Sequence, residues 1–198
     1  MRSLEEAAID ASTCTKCRLS QGRTQVVYGV GDPSADLMFI GEAPGFHEDR
    51  QGEPFVGAAG QLLNQLLSEI EIPRSDVYIN NVILCRPPGN RDPLPDELDA
   101  CKPWLDERME IIDPAVVVTL GNWATRYILG RQVSISRVRG QRFPWDGRTV
   151  IPTFHPAAVL HGGGQASNQM TALRADFQEI RAALAERPEL AEEQLGLF

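Results

Sequence analysis

Two side chains whose types suit proton chemistry stand just beyond two apolar runs. Glu42 follows Leu37-Met38-Phe39-Ile40 in the turn Gly41-Glu42-Ala43-Pro44-Gly45, and His155 follows Thr149-Val150-Ile151-Pro152-Thr153-Phe154. Ligands of open α/β sheets bind outside the carboxyl ends of the strands, so a carboxylate and an imidazole placed there can share one pocket. Taken singly, Glu42 reads as an exposed loop acid and His155 as a helix-start residue. Two further residues make the pair harder to dismiss. Asn80 and Asn81 fall inside a strand-like run, 76–85, where a buried amide must satisfy both a donor and an acceptor from a ligand or from neighbouring backbone. Phe55, between Pro54 and Val56 in the long polar loop 46–57, can stack on a planar ring. Together these groups suit a planar heterocycle.

The elements that must position them read as alternating strands and helices. Runs 36–40, 76–85, 114–121 and 149–154 are apolar and bounded by turn formers, as strands covered on both faces are. Residues 3–12, 58–70, 96–112 with Asp96 as its cap, 121–129 and 168–186 carry helical spacing. Residues 24–33 predict a brief strand, and Asp146-Gly147 a hairpin turn. This alternation predicts an α/β fold, a three-layer α/β/α sandwich with a central, mainly parallel sheet. The 198 residues suit a single domain, 1–186, followed by an acidic tail, 187–198. A net charge of -8 argues against nonspecific coating of nucleic acid. The acidic amino terminus has no apolar signal core and no stretch approaches about 20 apolar residues, so the expectation is a cytoplasmic protein away from the membrane. Monomeric action is the default expectation.

Four cysteines have metal-ligand character in a reducing compartment. Cys14 and Cys17 form a tight pair in a polar context, whereas Cys85 and Cys101 are far apart in the chain. A pair plus two distant thiolates fits an iron-sulfur cluster or an irregular four-thiolate zinc site. Cys85, after an apolar strand, also reads as an ordinary buried thiol.

An Asn amide can match a uracil edge, whose O4 accepts and whose N3 hydrogen is donated; cytosine would need the amide reversed. The motifs Gly41-Glu42-Ala43-Pro44-Gly45 with Glu48-Asp49, Pro54-Phe55-Val56-Gly57, Asn81-Val82-Ile83-Leu84-Cys85-Arg86-Pro87-Pro88 and His155-Pro156-Ala157-Ala158-Val159-Leu160 closely resemble the family 4 uracil-DNA glycosylases, in order over about residues 10–185. The resemblance implies a 4Fe-4S cluster on Cys14, Cys17, Cys85 and Cys101, and removal of uracil from DNA by base flipping. It implies a uracil site at Gly41, Phe55, Asn81 and His155, with His155 at O2 where negative charge builds. Glu42 would position water or offset the cationic sugar, Glu48 would crowd C5, and Val159-Leu160 would wedge into the DNA.

Segment 131–148 holds five arginines against one aspartate, so Arg137 and Arg139 are candidate phosphate ligands, although a solvated hairpin face explains the run almost as well. The chain ends Gln194-Leu195-Gly196-Leu197-Phe198, similar to the peptide by which bacterial repair proteins dock on the sliding clamp, with Gln194, Leu195, Leu197 and Phe198 as contacts. Loop 86–91 has no histidine, whereas a sister group forms a covalent DNA adduct through one, so turnover is expected. The competing readings are a relative acting on another deaminated base, a covalent uracil binder, and a noncatalytic iron-sulfur DNA-binding module.

Overall fold

A computed structural model of the chain describes residues 2–186; the expected clamp-binding residues Gln194, Leu195, Leu197 and Phe198 lie outside them. The strands are β1 (Val30–Gly31), β2 (Leu37–Gly41), β3 (Tyr78–Asn81), β4 (Val116–Leu120), β5 (Phe143–Trp145) and β6 (Arg148–Thr153). Every residue of β2, β3 and β4 is buried, as strands covered on both faces require. They lie in the order β1-β3-β2-β4-β6-β5, with the inner four parallel and the two edge strands antiparallel.

The helices are α1 (Leu4–Ser12), α2 (Phe46–Gln51), α3 (Ala58–Glu69), α4 (Pro95–Ile112), α5 (Gly121–Leu129), α6 (Ile135–Val138), α7 (Pro156–His161) and α8 (Asn168–Ala185). Alternation along β2 divides them into two outer layers. Met38 and Ile40 pack with α1, α4 and α5, whereas Leu37 and Phe39 pack with α3, α7 and α8. The expected three-layer sandwich is therefore observed. Among the described residues, no helix is long and apolar enough to cross a membrane.

Four local expectations change. The run 24–33 contributes only the two-residue edge strand β1, and the polar loop 46–57 contains α2. Strand β3 stops at Asn81, so Cys85 lies four residues past the ladder, where it is still buried. Helix α4 starts at Pro95 with Leu94 as its cap, not Asp96. Proline lacks the N–H that is orphaned at a first turn, and the Glu97 carboxylate accepts the free Leu94 N–H at 2.9 Å. The hairpin turn is where it was expected: Asp146 and Gly147 have φ of +47° and +75°, the left-handed pair that joins twisted antiparallel strands tightly.

Candidate functional site

The carboxyl ends of β2 and β3 and the segment leaving β6 surround a cavity of about 500 Å³, lined by Glu42, Glu48, Phe55, Asn81, His155 and His161 among others. Parallel register brings distant residues together here, since Gly41 lies directly opposite Asn81. Side chains alternate along a strand, so Asn81 shares the face of Ile79 and looks into the cavity. Asn80 points to the other face, fully buried, and neither polar atom of its amide has a hydrogen-bond partner among the described residues. Nothing in the structure explains that amide.

Two glycines make the close approach possible. A Cβ on Gly41 would lie 2.3 Å from Asn81 Oδ1 and 2.9 Å from Phe55 Cζ, so glycine leaves room for the amide and the ring against bare backbone. A Cβ on Gly60 in α3 would meet the Phe55 carbonyl oxygen at 1.6 Å. Phe55 has a φ of +55°, a conformation a bulky residue adopts only at a cost of about 1–3 kcal/mol, offset here by the surrounding packing. Its ring lies 5.5 Å from the His155 ring at an interplanar angle of 27°.

His155 caps α7, and its Nδ1 accepts the Ala157 N–H at 3.2 Å. Burial pulls its pKa down to about 4, with the Glu48 charge acting the other way, so the imidazole is neutral at physiological pH. A neutral ring that accepts at Nδ1 carries its proton on Nε2, which makes it a hydrogen-bond donor. Glu42 is half-buried, and burial followed by repulsion from Asp92 pushes its carboxyl up to about 7. It is thus poised to take up or release a proton near neutrality. Glu48 Oε1 accepts the Val56 and Gly57 N–H groups at 3.0 and 3.2 Å, tying α2 to the Phe55 segment. Of the lining residues, Asn90 and Arg91 were not singled out from sequence as site residues. The Arg91 guanidinium is held by buried Glu97 at 2.9 and 2.6 Å. Only folding of the loop 86–91 against the strand ends brings them there.

The four cysteines gather on the opposite layer, beside α1 and α4. Burial raises the Cys85 thiol, Arg23 opposes the shift, and Cys17 and Cys14 add to it. Burial likewise pushes Cys101 up to about 11, with Cys85 and Cys17 contributing, so the thiols lie within electrostatic reach of one another. Two N–H groups point at sulfur: Trp104 Nε1 at 3.3 Å from Cys14 Sγ, and Arg23 Nη1 at 3.4 Å from Cys85 Sγ. Among the described residues no His, Cys, Asp and Glu side chains group as ligands of a single metal ion. Four sulfurs, two of them buried and two met by N–H donors, are nevertheless a donor set that fits an iron-sulfur cluster, whose ligands are thiolates with hydrogen bonds tuning the sulfurs.

Arg108 connects this corner to the cavity. It is fully buried on α4, and its guanidinium donates to the carbonyl oxygens of Trp104 at 3.0 Å, Tyr28 at 2.5 Å and Asn81 at 3.2 Å.

The residues expected to meet DNA divide differently. Val159 is fully buried in the core between α7 and α3, so it is not placed as a wedge; a valine on the inner face of a short helix fills the interior. Leu160 is half-buried and packs against the same core. Arg139 donates to Asp176, through Nε at 2.9 Å, which commits its guanidinium within the protein. Arg137 is exposed.

The model of the uracil DNA glycosylase superfamily matches residues 28–184 of the chain. A type-4 uracil-DNA glycosylase from Sulfurisphaera tokodaii is 46% identical over 190 residues, spanning 91% of this chain and 84% of that protein. The type-4 enzyme of Thermotoga maritima is 50% identical over 149 residues, 74% of this chain and 78% of its own. A type-5 uracil-DNA glycosylase from Thermus thermophilus is 32% identical over 164 residues, covering 73% and 74% of the two chains.

Proposed function

The chain belongs to the uracil DNA glycosylase superfamily, with the type-4 enzymes, and from that premise we propose that it excises uracil from single- or double-stranded DNA. It flips deoxyuridine into the cavity and hydrolyses the N-glycosidic bond, leaving an abasic site for base excision repair. The observation that carries this reading is the convergence of Asn81, Phe55 and a neutral His155 on one cavity at the strand ends.

Asn81 presents its amide to the O4 and N3–H of uracil, and Phe55 covers the ring. As the bond from C1′ to N1 breaks, its electron pair moves onto the base and negative charge collects at O2. The Nε2–H of His155 donates there, and because the imidazole is already neutral and held by Ala157, no reorganisation is needed at that moment. The sugar becomes cationic and is captured by water, whose proton passes to the Glu42 carboxylate. Glu48, anchored by two backbone N–H groups, forms the wall that a 5-methyl group would meet.

Cys14, Cys17, Cys85 and Cys101 hold a 4Fe-4S cluster, which crosslinks the amino-terminal segment, the region after β3 and α4. The Gln194-Leu195-Gly196-Leu197-Phe198 peptide docks a sliding clamp, and the protein works in the cytoplasm. Deleting residues 194–198 abolishes clamp binding and leaves uracil release intact.

The test is a single-stranded oligonucleotide with one deoxyuridine. Uracil release, followed by strand cleavage at that position only after alkali, is the expected result. A protein-DNA band that survives denaturation would replace hydrolysis by covalent capture, and no release from brown, iron-loaded protein would overturn the glycosylase. Iron and sulfide in equal amounts are expected in the purified protein; zinc in their place would overturn the cluster.

A further inference from the structure

Phe46, the first residue of α2, is 47% exposed, and among the described residues only Ile9, at 62%, is another large hydrophobic so exposed. Its place distinguishes it. Gly45 beside it in the chain lines the cavity, and so does Pro87, the neighbour of an arginine that covers its ring. The Arg86 guanidinium carbon lies 5.1 Å from the ring centroid and that of Arg50 lies 5.7 Å away, while the His47 ring meets it edge-on at 5.4 Å. Arg86 donates its Nε to Asn90 at 2.7 Å, and neither guanidinium pairs with a carboxylate among the described residues. An aromatic ring left in water at a cavity mouth, flanked by two cations without acidic partners, has the composition of a surface that stacks a base and meets a phosphate backbone.

We propose that Phe46 is a stacking platform for the nucleobase next to the flipped deoxyuridine, with Arg50 and Arg86 meeting the adjacent phosphates. This rests on the reading of the chain as a uracil-DNA glycosylase. It gives Phe46 the contact with neighbouring bases for which Val159 is too deeply buried. Phe46 acts on binding and touches none of the reacting atoms, so its removal raises KM far more than it lowers kcat.

The test uses a single-stranded oligonucleotide with one deoxyuridine for kinetics, and the same strand with a cleavage-resistant 2′-fluorinated deoxyuridine for affinity at several salt concentrations. Phe46→Ala is expected to weaken binding about tenfold or more, with the salt slope unchanged. Phe46→Trp holds affinity within about twofold of wild type, since stacking accepts any aromatic face. Arg50→Ala lowers the salt slope by roughly 0.7, the signature of one phosphate contact to a single strand. Ile9→Ala, on α1, changes nothing. The proposal is overturned if Phe46→Ala binds like wild type, or if Phe46→Leu binds as well as Phe46→Trp, which would make the contact merely apolar. Uracil release by the wild-type protein on the same strand separates the two readings: release with no effect of Phe46 removes only the stacking, whereas no release removes both.

Discussion

The hairpin segment 131–148 and the mouth of the cavity are both rich in arginine, yet they use it in opposite ways. In the hairpin segment Arg139 is bound to Asp176, Arg142 to Glu179 and Glu186, and Arg148 to Asp113 and Asp146, while Arg131 lies over Phe143. At the mouth, Arg50 and Arg86 flank an exposed ring. Counting charges along the sequence favours the hairpin, because its arginines are close together and, Asp146 apart, their acids are remote in the chain. Folding brings acids to Arg139, Arg142 and Arg148, and among the described residues only Arg131 and Arg137 of the five keep no ion pair. A cation-rich stretch is therefore a binding surface only where the tertiary structure leaves its cations without acids.

The sharpest contrast between the two regions is in turnover. Glu42→Gln is expected to lower kcat by about a thousandfold, the scale of losing a positioned acid-base group. In the wild-type protein the Glu42 carboxyl, raised to about 7, must lose its proton to accept one from water. Activity should therefore climb as pH rises through about 7 and level off above it. His155, at about 4, is already neutral throughout this range and adds no second limb. A flat profile for Glu42→Gln checks the assignment, and a retained limb would move it to another group.

Arg139→Ala probes the hairpin side. Asp176, 1% exposed, would lose its cation and keep only the Thr153 hydroxyl. Stability is expected to fall by about 3 kcal/mol, read from the urea midpoint. The kcat of the folded fraction stays within about twofold of wild type, because the pair touches Thr153 and Phe154 and none of the side chains that line the cavity. A large drop in DNA affinity at unchanged stability would return Arg139 to the DNA surface. The smallest effect is expected for Arg142→Ala, an exposed side chain bonded to half-buried Glu179 and exposed Glu186, for which both the urea midpoint and the salt slope of DNA binding should stay put. A shallower slope would mean that the hairpin meets phosphate after all.

The strands were legible because β2 and β4 are continuous apolar runs ending in glycine-bearing turns, and a fully buried parallel strand leaves few other patterns. The cavity residues Glu42, Asn81 and His155 were legible because they stand at or just beyond the ends of β2, β3 and β6. Period-two alternation from Ile79 even indicates which amide faces them. Other features have no local signal. Loop 46–57 reads as polar, and its helix α2 is held by contacts with distant chain, among them the Asp49 carboxylate accepting the Thr24 N–H at 2.9 Å. Val159 shows how an apolar pair can mislead: on a one-and-a-half-turn helix one member must face inward, and the sequence motif does not say which. The tie between Arg139 and Asp176 crosses 37 residues and exists only once β6 and α8 are side by side.

The three carbonyls that hold Arg108 come from its own helix, from the segment before β1 and from the end of β3, the latter two 80 and 27 residues away in the chain. A guanidinium that leaves water before those acceptors are in place bears an uncompensated desolvation penalty, so a state with α4 docked on an incomplete sheet is disfavoured. Docking of α4, completion of the strand that reads the base and closure of the amino-terminal segment are thereby welded into one cooperative event. Partial unfolding at the cysteine corner that separates α4 from Tyr28 or Asn81 strands a buried guanidinium, which disfavours half-built species.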